Sequence, residues 1–202
     1  RNANMTLARA ALHTGDDEKT AKYFHACAEV EALPAKDLLE ICRFLAHNRT
    51  LTESAGILYL QSFEQCAGLS EAPKLSEEIA ALAHTTEEDT VEHLNAVHQL
   101  CSYLVREAPS LYWAAIGVGR ALLSLGRPDE ALEILTSIPP SDNLAPEATF
   151  LTARAHQYAS RAEDALQVLR DGVDRCQSYK PFRLLLCKLA LDSLEGILQQ
   201  PP

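Results

Sequence analysis

Apolar residues recur at intervals of three and four along most of the chain, in short runs that stop and start again. The clearest case lies between residues 111 and 138. Ala114, Ala115, Val118, Leu122 and Leu125 form one stripe, and Ala131, Leu132, Leu135 and Ile138 form a second. This spacing puts one apolar face on a helix. Gly126-Arg127-Pro128-Asp129 separates the stripes. Pro128 suits a first helical turn, where its missing N–H would lack a partner in any case. Asp129 and Glu130 suit the positive end of the helix that follows. Pro139-Pro140 stops it. There is no long Val/Ile/Thr alternation and no Asn-Gly or Asp-Gly hairpin between strand-like runs, so the predicted fold class is all-α.

The pattern returns further along at one fixed offset: Ala131 maps onto Ala165, Leu132 onto Leu166, Leu135 onto Leu169, Gly119 onto Ala153 and Asp129 onto Glu163. A helix pair cannot bury its apolar face alone, so repeated pairs stack on one another. Leu-Gly-Arg-Pro-Asp-Glu-Ala-Leu at 125–132 and the looser Ala-Ser-Arg-Ala-Glu-Asp-Ala-Leu at 159–166, with Ser160 in place of Gly, carry a family resemblance. Each has Ala at the point of close approach, Ala131 and Ala165, where a small residue lets two backbones come together without losing helix propensity. The chain resembles the tetratricopeptide repeat family, specifically over about 109–178 and more loosely elsewhere. The resemblance implies a right-handed superhelix of antiparallel helix pairs, about five pairs plus a C-terminal helix.

The rest of the chain fits the same frame less closely. Residues 1–34 carry Leu7-Ala8, Gly15-Asp16-Asp17 and Phe24, with Thr20 where the pattern wants Ala. Residues 35–69 carry Leu39, Ala46, Ala55 and Tyr59, with Thr50 at the turn. A further pair is predicted near 72–84 and 88–106, turning at Thr85-Thr86. The step from Val91 to Ala131 is longer than the step from Ala131 to Ala165, enough to bend the stack or divide it. Pro181 to Gln200 reads as a last apolar helix, a cap or the first helix of a truncated repeat. The expected organisation is divergent repeats over 1–108, two clearer repeats over 109–178 and a terminal helix over 179–202, in one continuous solenoid.

Composition narrows the function more than the fold. The net charge of -10 argues against a general nucleic-acid or anionic-membrane surface. No run of 18 apolar residues suggests a membrane span. Six cysteines form no C-x-x-C pair and most fall among apolar residues, which fits reduced, packed thiols and a cytoplasmic setting, with disulfides the open alternative. A start at Arg1 rather than Met reads as a piece of a longer or processed chain. No phosphate loop, dinucleotide fingerprint, zinc-protease or serine-hydrolase motif is present. Gly117-Val118-Gly119 sits inside a helical pattern and fits close packing. His98 and Cys101 make at most half of a metal site, and Glu77-Glu78 and Glu87-Glu88-Asp89 fit solvated helix starts. No catalytic, cofactor or metal residue is expected.

In the tetratricopeptide family the first helix of each repeat lines a concave face where partners dock. The family's carboxylate-gripping positions fall here on Ile116, Gly117, Arg120, Glu147 and Leu151, of which Arg120 alone could serve. The register offers a different feature. Arg120, Arg154 and Lys188 are each one repeat apart, with Arg9 at the corresponding place in the first unit. Stacked repeats would bring them onto one groove wall with Trp113, Ile116, Phe150 and Tyr158, a set suited to an acidic, phosphorylated or amphipathic protein segment. The same cations could instead pair with Glu147 and neighbouring acids, and Trp113 equally suits a core position. Glu130, Glu133, Glu163, Asp164, Asp171 and Asp174 fit a solvated outer face. The expected function is a non-catalytic protein-interaction scaffold, with homo-oligomers compatible. The competing readings are a chaperone or secretion-system accessory protein holding a client segment, an enzyme on a helical scaffold, and an RNA-binding module.

Overall fold

The computed structural model describes residues 2–28, 33–48, 51–66, 78, 80–84 and 89–198. Among these residues there are ten helices and no strand. They are α1 (Asn2–His13), α2 (Asp17–Ala28), α3 (Ala35–His47), α4 (Glu53–Cys66), α5 (Val91–Glu107), α6 (Tyr112–Ser124), α7 (Pro128–Leu135), α8 (Ala145–Tyr158), α9 (Ala162–Arg175) and α10 (Lys180–Leu198). The expected turns at Thr50 and Thr85-Thr86, and most of the helix expected over 72–84, lie outside the described residues.

The chain divides into two compact units, one of Arg1–Thr85 with Asn95–Ala114, the other of Thr86–Leu94 with Ala115–Pro202. In the first unit α1 packs on α2, α3 on α4 and α2 on α4. Phe24 and Phe44 meet edge to face at 5.2 Å in its core. Thr20, the departure from the small-residue pattern, is fully buried. Its hydroxyl donates to the Asp16 carbonyl at 2.8 Å, so a polar group occupies the slot without being left unsatisfied. Gly56 of α4 lies so close to α5 that a β-carbon there would stand 3.0 Å from Leu100 and Tyr103.

In the second unit α7 packs on α8, α8 on α9 and α9 on α10. Ala131, Ala153 and Ala165 are wholly buried at the crossings the repeat register assigns to small residues. Gly119, the counterpart of Ala153, faces Leu135 so closely that a β-carbon would fall 2.6 Å from it. Close helix packing is therefore what this glycine serves. One core cluster joins Ala153, Ala165, Leu169, Phe182, Leu185 and Leu189, which welds the terminal helix to the preceding repeat.

One turn geometry joins the helices of a pair in both units. Gly126 has φ +73°, its N–H donates to Leu123 O at 3.1 Å, and the Arg127 N–H reaches back to Leu122 O at 2.9 Å. Gly15 (φ +71°) repeats the arrangement, with Asp16 N–H on Ala11 O at 3.0 Å. So does Ser160 (φ 59°), with Arg161 N–H on His156 O at 2.8 Å. This is the Schellman ending, in which a left-handed residue lets two N–H groups satisfy the last helical carbonyls. Ser160 adopts it although its β-carbon makes the conformation costly.

Antiparallel pairs with short left-handed turns and small residues at their crossings make the fold all-α and tetratricopeptide-like.

Candidate protein-docking wall

The first-helix cations differ in what holds them. In the first unit Arg9 on α1 donates to Asp37 at 2.9 Å and to Glu40 at 2.7 Å, both on α3. These carboxylates hold its pKa above the ordinary arginine value, the Glu40 hydrogen bond contributing most. Arg43, one repeat length after Arg9, stands 3.9 Å from Glu78. In the second unit Arg120 on α6 donates to Glu147 on α8. Both side chains are mostly buried, at 22% and 24% exposure. The device is the same each time: an arginine on one first helix reaches an acid carried by a later segment. Arg120 therefore takes the alternative reading, a staple between helices, and not that of an open docking cation.

Arg154 and Lys188 behave differently. Arg154 on α8 donates to the Tyr158 hydroxyl one turn on, and its guanidinium lies 5.2 Å from the centre of the Tyr158 ring. Tyr158 itself is 44% exposed. Lys188 on α10 is exposed.

The apolar members of the expected wall also separate. Ile116 is 6% exposed and belongs to the core, so it is withdrawn as a docking residue. Phe150 is half-buried against the Phe182 cluster and meets Tyr179 edge to face at 6.3 Å. Trp113 is half-buried and falls in the first unit, whereas Arg120, Arg154, Lys188, Ile116, Phe150 and Tyr158 fall in the second. Tyr179, which the register did not single out, sits between Phe150 and Phe182, 4.9 Å from the latter. Burial pushes its phenol pKa up, and Glu147 adds to that while Arg120 opposes it. Tyr179 is thus within electrostatic reach of the staple. Its counterpart one repeat earlier is Ala145, so periodicity carried no signal for it.

Cys101 is 1% exposed, and burial pushes its thiol up to about 12. A thiol so held stays protonated near neutrality, the less nucleophilic state. Among the described residues no three His, Cys, Asp or Glu side chains gather as a metal site, and no helix is long and apolar enough to cross a membrane.

No protein-family model matches the chain, and no curated protein sequence matches it. Among solved structures it is similar to a thermophilic TPR protein of Thermus thermophilus, at 17% identity over 93% of this chain and 97% of that one, with a TM-score of 0.46. It is also similar to the assembly chaperone of RpL4, Acl4 residues 1-338, at 16% identity over 98% of this chain and 86% of that one, with a TM-score of 0.47.

Proposed function

We propose that the chain is a non-catalytic protein-interaction scaffold whose second unit presents first-helix side chains to an extended acidic segment of a partner protein. The observation that carries this reading is the exposure of Tyr158 beside the Arg154 guanidinium, with Lys188 exposed one repeat further along. A ring flanked by a cation offers stacking, hydrogen bonding and charge at one point, the combination typical of binding anchors. Rigid helix pairs hold such anchors in place before binding and so limit the ordering cost of association. Charge complementarity guides the choice of partner: a guanidinium and an ammonium one repeat apart favour carboxylates or phosphates over basic segments.

The test is fluorescence anisotropy with a short, Pro-interrupted Glu/Asp peptide that cannot form a helix. Arg154→Glu with Lys188→Glu should weaken its binding about ten-fold or more and flatten the salt dependence. An affinity that does not change on this double charge reversal would reject the wall.

A further inference from the structure

We infer that the outward face of α10 is a homodimer interface, on which a second copy of this chain packs its own α10 antiparallel about a two-fold axis. This goes beyond the wall just described and uses a different face.

α10 is apolar on opposite sides. Phe182, Leu185 and Leu189 are buried in the core cluster. On the other side Leu184 is 72% exposed and Leu191 is 60% exposed, the two highest values among the described large hydrophobic residues. Cys187, between them, is exposed as well. At roughly 100° per residue, these three positions fall within an arc of about 60°, nearly opposite Leu189. Two solvent-facing leucines a heptad apart form a seam that a second helix can use.

The order of charges along the helix says which second helix fits. The cations Lys180, Arg183 and Lys188 come first and the acids Asp192 and Glu195 follow. When two copies run antiparallel about an axis that crosses between positions 187 and 188, position 184 comes level with 191. The same axis brings 180 level with 195 and 183 level with 192. One symmetry operation therefore matches leucine with leucine and cation with acid. By helical register Lys180 and Glu195 lie about 30° to either side of the seam's centre and form the closer pair. Arg183 and Asp192 share a level but fall on opposite flanks, so they act only at longer range. Lys188 meets its own image beside the axis, and its long stem lets the ammonium turn to solvent. Symmetry makes two close attractive pairs against this one repulsion. A parallel copy would instead oppose Lys180 to Lys180 and Glu195 to Glu195, so charge sets the direction.

The experiment measures the dimer constant by sedimentation equilibrium, with far-UV circular dichroism to check that each variant keeps its helices. The wild type should dimerise reversibly and stop at two copies. Leu184→Glu should weaken the dimer about ten-fold or more. Lys180→Glu and Glu195→Lys should each weaken it several-fold, because each turns both close pairs repulsive. Together they should restore it to within about two-fold of the wild type. Cys187 gives an independent readout. With helix axes about 9 Å apart, the two Cys187 α-carbons would stand about 6 Å apart across the axis, within disulfide reach. Copper-phenanthroline oxidation, read by peptide mass spectrometry, should join Cys187 to Cys187 in the wild type and in the swapped double variant, and only weakly in Lys180→Glu. A monomer at every concentration, larger head-to-tail assemblies, or a double variant no better than its parents overturns the inference. The wall is tested apart from the dimer. Arg154→Glu should weaken the extended acidic peptide and leave the dimer constant unchanged. Lys188→Ala should weaken that peptide and tighten the dimer a few-fold, since it removes the repulsive pair.

Discussion

The repeat over 112–135 and the one that follows it over 145–175 share one frame, yet they solve three local problems differently. The first uses Gly126 in its left-handed turn, and the second forces Ser160 into the same conformation. The first holds its cation Arg120 with Glu147, and the second lays Arg154 against Tyr158. The third difference is in volume. Gly172, near the end of α9, lies against Phe182 of α10, where a β-carbon would fall 2.9 Å from the ring. One repeat earlier the equivalent positions are Ile138 and Ala148, both buried. The large residue has changed sides while the pair keeps a similar total bulk. What recurs is the space to be filled and the path of the backbone, and side chains are interchangeable where they meet those two demands.

The largest expected effect tests this exchange of volume. Phe182→Ala should cost about 3–5 kcal/mol, because it removes a fully buried ring next to a residue with no side chain. Gly172→Ile alone should also destabilise, by about 1–3 kcal/mol, since its β-carbon meets the ring. Together they recreate the Ile/Ala arrangement of the earlier repeat. The double variant should be more stable than Phe182→Ala in urea unfolding followed by circular dichroism. Simple addition of the two losses would show that the neighbouring interfaces are not equivalent.

A smaller effect is expected at the turns, with opposite signs in the two repeats. Gly126→Ala places a β-carbon in the left-handed region and should cost about 1 kcal/mol. Ser160→Gly should stabilise by about 0.5–1 kcal/mol, the relief being partly offset by the freer unfolded chain. Thermal melts of the two variants should move in opposite directions. A loss at Ser160→Gly would mean that the serine side chain supplies something the turn geometry does not account for.

Much of this was legible in the sequence because it depends on positions that repeat. Ala131 and Ala165 marked the crossings, Gly126 and Gly15 marked turns, and the tail read as one helix, close to the observed Lys180–Leu198. Ser160 stood out as a missing glycine, but nothing in the pattern said that the backbone would keep the glycine conformation. The candidate site was legible in part. Periodicity placed Arg120, Arg154 and Lys188 on first helices, but it could not say that Glu147 would hold Arg120. The acids do not sit at a fixed offset: Asp37 and Glu40 follow Arg9 by 28 and 31 residues, and Glu147 follows Arg120 by 27. Ile116 was misplaced because a first helix has two apolar sides, and spacing alone does not tell the inner from the outer. Tyr179 precedes its helix, where the repeat pattern does not reach.

The ion pair gives the smallest stability effect and the sharpest functional contrast. Arg120 and Glu147 keep about a quarter of their exposure, so screening limits their attraction, and Glu147→Gln should cost about 0.5–1 kcal/mol. The consequence for binding does not follow the stability. If Glu147 is what keeps Arg120 from serving as a docking cation, the neutral amide lets that charge act outward, and the extended acidic peptide should bind a few-fold tighter to Glu147→Gln than to the wild type. Arg120→Gln should show a similar small loss of stability and no gain in affinity. Titrating both variants with the same peptide in low and high salt checks the contrast, since an added cation steepens the salt dependence. Equal affinities for the two variants would mean that the staple is purely architectural and that the wall ends at Arg154.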